Sequence, residues 1–425
     1  MPQDGLPNIW HLYNLRESPF FQDTLRAGQG ARYPIDLFVG RVGDVETLLR
    51  VIGGSSSTRQ VIGGAPGIGK TTLAQRVKAD AAEAGYLSHD EAVHIEADLD
   101  TRELLMRLLG HVYEAVVGAA GQGFDPEPVQ TARQLVRAHR IRNGSASISV
   151  LGVGAGGGVT TQVVESGLLS AGLVVPPLLG QLMGVAEDKL EAKGILVHVN
   201  NFENLVEADR ARAAGMVRDV RDLLLLRGYH YLFVGTGEAL HAVIDPHAQV
   251  RSVFGLFEEL SPLEADDFEA LLERRCDFLR LDQRRPAIPP VQQDAARAAY
   301  SFFHGDLRGA LRALDLAAHE LAGYGDPLGA PIGRDELWSV LQPRYQVEMR
   351  QRLGDTHADY LMRLDDLEEP FTQRDLGAMW GVSKGTVSEV AGVLVRMGYL
   401  DVQHHGRTLH YRRAGAARLA LGQRG

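Results

Sequence analysis

Between residues 60 and 261, short apolar runs alternate with longer stretches of helical periodicity. The apolar runs are rich in β-branched residues and predict strands over Arg59–Gly63, Ala92–Ala97, Ile195–Asn200, Tyr231–Gly235 and Phe257–Leu260. Helical patterns such as Thr71–Ala84 and Thr101–Val117 lie between these runs. Alternating strands and helices predict a parallel sheet with helices on both faces. The expected fold class is therefore α/β, with a five-stranded parallel sheet.

The remainder of the chain follows other patterns. Residues 262 to about 345 are helical throughout, and a helix–turn–helix pattern followed by a hairpin pattern comes after Pro370. The first residues show no clear period, and we expect them to pack on the next domain as a lead-in segment. The predicted domains are a lead-in (1–37), an α/β core (38–261), a helical lid (262–345) and a C-terminal module (346–425).

One stretch of the core, residues 143–186, carries a single charged residue, Glu165. Its first part predicts a β-hairpin over 147–164 with a glycine-rich tip. Its second part is long enough for a membrane span, but Pro176-Pro177 and four glycines argue against a straight one. We therefore expect an insertion that packs on the domain or against a neighbouring subunit. A flexible loop is the alternative.

Composition narrows the class of protein. The chain has 425 residues, 45% of them hydrophobic, and a mean hydropathy of −0.11, which is typical of a soluble protein of about three domains. The single cysteine, Cys276, excludes an intramolecular disulfide framework and a cysteine-rich zinc site. The N-terminus lacks the basic and apolar regions of a signal peptide. A cytoplasmic location is expected, and a membrane partner is not.

The net charge of −10 is unevenly distributed along the chain. Residues 371–425 contain eight basic and three acidic residues and carry a net charge of +5, which leaves −15 on the rest. An acidic total argues against a protein that coats DNA. A basic module on an acidic body instead predicts local contact with DNA.

A phosphate-binding loop is the most specific motif. Gly64-Ala65-Pro66-Gly67-Ile68-Gly69-Lys70-Thr71 follows an apolar strand and precedes a helix, as the P-loop pattern requires. Its glycines allow backbone N–H groups to surround a phosphate, and the helix N-terminus favours negative charge. Lys70 is expected on the β- and γ-phosphates of ATP, and the Thr71 hydroxyl on Mg²⁺. The predicted nucleotide-binding residues here are Gly64, Ala65, Pro66, Gly67, Ile68, Gly69, Lys70, Thr71 and Thr72.

Phe38-Val39-Gly40-Arg41 stands some two dozen residues before this loop. The combination resembles the AAA+ ATPases, especially the origin-recognition and initiator clade and the related STAND-type switches. The resemblance implies an α/β P-loop NTPase core of AAA+ type with a helical lid. It also implies that Val39, Gly40 and Arg41 border the adenine pocket.

The acidic half of the nucleotide site departs from the family pattern. The strand Gly194–Val199 ends in Asn200-Asn201, where the family has Asp-Glu. Asparagine can hydrogen-bond to Mg²⁺-bound water, but it has no charge and is not a useful base. Glu203 follows shortly after and is the alternative acid. We expect ATP binding, with hydrolysis slow or absent.

The resemblance implies three further catalytic roles. Thr236 would be the polar sensor after the strand Tyr231–Gly235, with capping of the next turn as the alternative. Arg251 would reach a neighbouring subunit's site as an arginine finger, although a solvated surface arginine fits equally well. Arg308, in Gly305-Asp306-Leu307-Arg308, resembles the second sensor and would contact the γ-phosphate from the lid.

The C-terminal pattern is that of a winged helix. It resembles the DNA-binding domains of bacterial regulators and those that end initiator-type ATPases. The second helix would place Ser383, Lys384, Thr386 and Ser388 at base edges in the major groove. Arg407, Arg412 and Arg413 on the wing would meet phosphates or a minor groove. A winged helix used only for protein contact is the alternative.

These features predict an ATP-binding AAA+ protein that binds duplex DNA and assembles in a nucleotide-dependent way. Replication initiation, a mobile element and phage defence all fit such a machine. Self-association is expected, with 143–186 as a candidate interface. The alternative is a STAND-like ATP switch or transcription regulator with little hydrolysis.

Overall fold

The computed structural model describes residues 8–28, 30–142, 171–202, 205, 207–322, 330–405 and 408–423. Two compact units result: one is Thr24–Ser261, and the other joins the N-terminal residues up to Asp23 with Pro262–Gly425. The expected hairpin over 147–164 lies outside the described residues. No described helix combines the length and apolarity needed to cross a membrane.

The first unit is built on a parallel sheet. Its strands are β1 (Thr58–Gly63), β2 (Tyr86–Ser88), β3 (Val93–His94), β4 (Gly194–Asn200), β5 (Tyr229–Val234) and β6 (Phe257–Glu259). Its helices are α1 (Val42–Gly53), α2 (Lys70–Glu83), α3 (Thr101–Ala120), α4 (Glu127–Arg142), α5 (Ala171–Leu190), α6 (Glu207–Asp219), α7 (Arg221–Leu224), α8 (Gly237–Ile244) and α9 (Ala248–Arg251).

The strand order is β2-β4-β5-β1-β6, and all the pairings are parallel. Both β2 and β3 pair with β4, the first near its start (Tyr86↔Gly194) and the second near its end (Val93↔Val199). The sheet thus has the five expected positions, and the outermost one is shared by two short strands. The sequence missed β2 because its three residues, Tyr-Leu-Ser, contain no β-branched side chain.

The two faces of the sheet bury separate apolar cores. Along β4, Leu196 belongs to the core beneath α1 and α2, whereas Val197 belongs to the core beneath α3 and α5. Because successive strand residues point to opposite faces, an almost fully apolar strand is what a sheet covered on both sides requires.

The expectation that residues 143–186 form an insertion is wrong for their second part. Helix α5 supplies buried Val175, Leu179 and Leu182 to the core that it shares with α3. The Tyr229 hydroxyl donates to the carbonyl oxygen of Leu179 at 2.7 Å. Pro176 and Pro177 lie inside this helix, where their missing N–H groups leave the carbonyls of exposed residues 172 and 173 to the solvent.

The second unit contains a helical part and a small three-stranded sheet. The helices are α10 (Ala265–Phe278), α11 (Gln293–Phe302), α12 (Leu307–Ala322), α13 (Arg334–Met362), α14 (Gln373–Trp380), α15 (Lys384–Arg396) and α16 (Gly415–Ala420). The strands β7 (Phe371–Thr372), β8 (Leu400–His405) and β9 (Thr408–Arg413) pair antiparallel in the order β7-β9-β8. Helix α13 is interrupted at Gly354, whose φ is +69°.

The N-terminal segment is divided between the two units. Asn14 Nδ2 donates to the carbonyl oxygens of Asp282, Arg285 and Pro286, and the Arg275 guanidinium donates to that of Phe21 at 2.7 Å. Residues 8–23 therefore pack on the helical part, and the expectation that the whole lead-in packs on the next domain is wrong for them. Residues from Thr24 onward belong to the α/β unit.

Buried histidines make the α/β unit sensitive to acid. His198 on β4 is fully buried, and neither ring nitrogen has a hydrogen-bond partner within the described part of the chain. Burial is the main cause that holds the pKa of His198 well below its usual value, so the native state keeps the ring neutral. The unfolded chain takes up a proton below about pH 6.5, and stability falls as the pH drops through that range.

We expect His198→Leu to reduce this acid sensitivity. Each such histidine costs about 1.4 kcal/mol per pH unit below 6.5, or about 2 kcal/mol at pH 5. Urea unfolding at pH 7.5 and pH 5.0, followed by circular dichroism, measures the difference. The same substitution at the partly exposed His247 is the control. An unchanged pH dependence in the His198 variant would contradict the argument.

Candidate functional site

The phosphate loop connects the end of β1 to the start of α2. Gly64, Gly67 and Gly69 have φ values of +143°, +78° and +101°, a region that side chains rarely adopt. A Cβ on Gly64 would also stand 3.3 Å from both the Ile68 side chain and the Leu260 carbonyl oxygen. The glycine spacing in the sequence is therefore a requirement of the backbone.

Lys70 is the first residue of α2 and is only 7% exposed. Its Nζ donates to the carbonyl oxygens of Gly64 and Ala65, at 2.9 and 2.8 Å. The helix has Gly69 at its N-cap and no side-chain cap, while Thr71 and Thr72 follow in its first turn. A cation and uncapped N–H groups thus meet at one point, and this arrangement binds anions.

Arg41, in the segment before α1, hydrogen-bonds to the phosphate loop. Gly40 and Arg41 both have positive φ, at +71° and +56°. Arg41 Nη2 donates to the Ile68 carbonyl oxygen at 2.9 Å and to that of Ser261 at 2.7 Å. The adenine contacts expected of Val39, Gly40 and Arg41 stay a prediction.

The last residue of β4 and the residue after it are asparagines, so neither position carries a carboxylate. Asn200 is 7% exposed, and its Oδ1 accepts a hydrogen bond from the Asn201 N–H at 2.8 Å. Asn201 has a φ of +76°. Glu203, the alternative acid, lies outside the described residues.

An acid that the sequence did not indicate stands elsewhere at this edge. Glu259 pairs with Gly63 across β6 and β1, and a Cβ on either Gly63 or Gly237 would overlap its carboxylate. Burial raises the pKa of Glu259, while His241 and Lys70 act in the opposite direction. No local sequence pattern marks Glu259 as part of this site, because it lies some 200 residues along the chain from the phosphate loop.

The three residues expected to act as sensors or as an arginine finger differ in their contacts and exposure. Thr236 Oγ1 accepts from the Ala239 N–H at 3.3 Å and caps α8, which is the alternative role considered from the sequence. The Arg251 side chain is 72% exposed, with its Nε 3.8 Å from an Asp245 oxygen. Arg308 lies in the first turn of α12, in the other unit, with an exposed side chain.

The helix–turn–helix presents a polar surface at the start of α15. Ser383 caps this helix by accepting from the Thr386 N–H at 3.4 Å, and the two hydroxyls lie 3.1 Å apart. Lys384 and Ser388 are exposed, whereas the inner face of the helix is buried. The side chains expected to contact bases therefore lie on the outer face.

The wing residues separate into different classes. Arg412 on β9 is exposed, and Arg407 lies outside the described residues. The expectation that Arg413 contacts DNA is wrong. The residue is only 8% exposed, and its Nε contacts Glu369 Oε1 at 2.6 Å. Its remaining guanidinium N–H groups donate to the carbonyl oxygens of Leu364, Asp365 and Leu367. Arg413 therefore holds the module together and does not face DNA.

Comparison with known proteins finds one protein family that matches part of the chain and solved structures with a similar fold. Residues 353–408 match the profile of the MarR family. No curated protein sequence matches the chain.

Many solved structures are similar to the chain, and three of them serve as examples. The Aeropyrum pernix ORC1 protein in complex with DNA is 15% identical with a TM-score of 0.43, covering 90% of this chain and 92% of that one. The Aeropyrum pernix ORC2 protein in ADPNP and ADP complexes is 17% identical with a TM-score of 0.45, covering 95% and 96%. Cdc6p from Pyrobaculum aerophilum is 11% identical with a TM-score of 0.42, covering 95% of each chain. The parallel sheet with its phosphate loop, the helical region and the winged helix are the architecture expected from the resemblance to AAA+ ATPases of the initiator type.

Proposed function

We propose that the protein binds ATP with Mg²⁺ in its α/β unit and duplex DNA through its winged helix, with nucleotide state controlling assembly on DNA. The observation that carries the proposal is the cradle at the start of α2. Three left-handed glycines, a buried lysine and an uncapped helix N-terminus converge there. Few other ligands than a polyphosphate use all three.

Different residues of the phosphate loop and α2 would bind different parts of the nucleotide. Backbone N–H groups from Gly67 to Lys70 would surround the β-phosphate, and Lys70 would exchange its two carbonyl acceptors for phosphate oxygens. The Thr71 hydroxyl would ligate Mg²⁺, which supplies neutralisation of phosphate charge when bound. Among the described residues no group of His, Cys, Asp or Glu side chains is arranged for a metal.

The end of β4 favours slow hydrolysis. Asn200 Oδ1 is engaged by the next backbone N–H, and an amide is a poor base. The same observation supports the second candidate function, a STAND-like switch that binds ATP with little turnover. The exposed Arg251 is available for a neighbouring subunit. Self-association through 143–186 stays a prediction, although Val175, Leu179 and Leu182 of α5 are already buried in the core of the same unit.

For DNA, the proposal rests on the exposed polar start of α15 and on Arg412. Lys384 and Ser388 would approach base edges, while Arg412 and Arg407 would contact phosphates. Lys384 and Ser388 lie on a capped helix and Arg412 lies on a paired strand, which preorganises the contacts of these three residues.

We expect Lys70→Ala to weaken ATP binding by roughly 10- to 100-fold. The variant loses charge-assisted hydrogen bonds worth about 1.5–3 kcal/mol. Titration with a fluorescent ATP analogue in Mg²⁺ measures the affinity. Lys189→Ala, which removes an exposed lysine from the same unit, is the control. Wild-type affinity in the Lys70 variant would exclude the proposed site.

We expect Asn200→Asp to raise ATP turnover on the order of tenfold, because it restores a carboxylate while preserving the acceptor for the Asn201 N–H. Phosphate release at saturating ATP and Mg²⁺ measures the rate. The wild-type rate should stay close to that of Lys70→Ala. A fast wild type, unaffected by Asn200→Asp, would show that another residue supplies the acid and would reject the switch hypothesis.

We expect Lys384→Ala combined with Arg412→Ala to weaken duplex binding and to flatten its salt dependence. Loss of the phosphate contact of Arg412 lowers the magnitude of the slope of log K against log salt by about 0.9, and loss of Lys384 removes a contact to a base edge. Fluorescence anisotropy at several salt concentrations measures both quantities, with Arg350→Ala, at an exposed residue of α13, as the control. An affinity and a slope equal to those of wild type would reject the proposed DNA surface.

A further inference from the structure

Arg41 joins three separate segments of the α/β unit with one side chain. Its guanidinium donates to Ile68 in the phosphate loop and to Ser261, and it lies 3.4 Å from Asp44 on α1. The side chain is only 7% exposed. Both backbone bonds come from the same nitrogen, Nη2, so the loop and Ser261 are held by one planar group.

The backbone at Arg41 indicates that this placement is specific. Arg41 is the N-cap of α1 and adopts left-handed φ and ψ values of +56° and +26°. Side chains rarely adopt this conformation, and it persists only where surrounding contacts determine it. The turn at Gly40 and Arg41 aims the guanidinium at the phosphate loop instead of at the solvent.

Ser261 is the last residue of the α/β unit, and Pro262 begins the next unit. A residue before proline is restricted to extended conformations, so the chain has little freedom to absorb a displacement at this point. The exit also touches the start of the phosphate loop, because Leu260 N–H donates to the Gly63 carbonyl oxygen at 3.0 Å. Hydrogen bonds therefore connect both ends of the phosphate loop to Leu260 and Ser261, where the chain leaves the α/β unit.

We propose that Arg41 is a positioning residue that couples occupation of the phosphate loop to the direction in which the chain leaves at Ser261. This inference rests on the proposed ATP site. Phosphate binding draws the N–H groups around Ile68 toward the ligand, while the Ile68 carbonyl is bonded to Arg41. A shift of that peptide moves the Arg41 guanidinium, and the guanidinium in turn moves the backbone at Ser261.

The variants are Arg41→Lys and Arg41→Met in the full chain. Lysine keeps the charge but lacks the planar group with its several donors, and methionine removes all the donors. Arg50→Met, at an exposed arginine of α1, is the matched control. Dyes on Asp188→Cys and Asp335→Cys report the distance between the units by energy transfer. The native Cys276 is buried, and burial raises the pKa of its thiol to about 12, so it stays unlabelled.

We expect Mg²⁺-ATP to change the energy transfer in wild type and in Arg50→Met. Because Arg41 is also expected to border the adenine pocket, the distance change of each Arg41 variant is measured at an ATP concentration that saturates that variant. The distance change of both variants should fall below one third of the wild-type change. If Arg41→Met fails to fold, Arg41→Lys decides the question alone.

The inference is overturned by a wild-type distance change in the folded Arg41 variants, or by ATP binding to wild type without any distance change. A loss of ATP affinity as large as that of Lys70→Ala also overturns it, because Arg41 then belongs to the binding contacts themselves. Failure of wild type to bind ATP is a different result, which rejects the proposed function.

Discussion

Parallel pairing of β1 with β5 on one side and β6 on the other fixes where the phosphate loop stands. The register pairs Val61 with Phe233 and Gly63 with Glu259, so the three strands end at one edge of the sheet. Hydrogen bonds continue this pairing past the strands, from Gly235 N–H to Ile62 and from Leu260 N–H to Gly63. Since parallel strands bring their carboxyl ends together, loops distant in sequence share this edge. The lysine, the glycine cradle, Glu259 and the exit at Ser261 all depend on this register.

The strongest local patterns were sufficient to predict the architecture. Glycine spacing in the phosphate loop reflects backbone angles that few other residues adopt, and capping residues mark the start of α14 and α15. Helix α5 was misjudged because apolar residues and glycines also occupy exposed positions, among them Gly172, Leu173 and Gly180, so the helix has only a weak amphipathic period. The same composition suits an insertion or a membrane span, and only the packing against α3 separates them.

Contacts between distant segments explain the other failures. The roles of Arg41 and Glu259 depend on partners some 200 residues away, and no local period encodes them. Arg413 shows the same limit in the winged helix. Counting charges assigned it to DNA, although Glu369 and three carbonyl oxygens occupy its guanidinium. Net charge measures how many cations a module has, whereas their neighbours decide which of them reach a ligand.

We propose that nucleotide binding in the α/β unit and DNA binding in the winged helix are coupled. Coupling of this kind is reciprocal, so ATP must change DNA affinity by the same factor by which DNA changes ATP affinity. The most direct measurement is therefore both affinities of the full chain, each with and without the other ligand, at one salt concentration. We predict equal factors of about fivefold or more. Factors of one in both directions, with both ligands bound, would contradict the account.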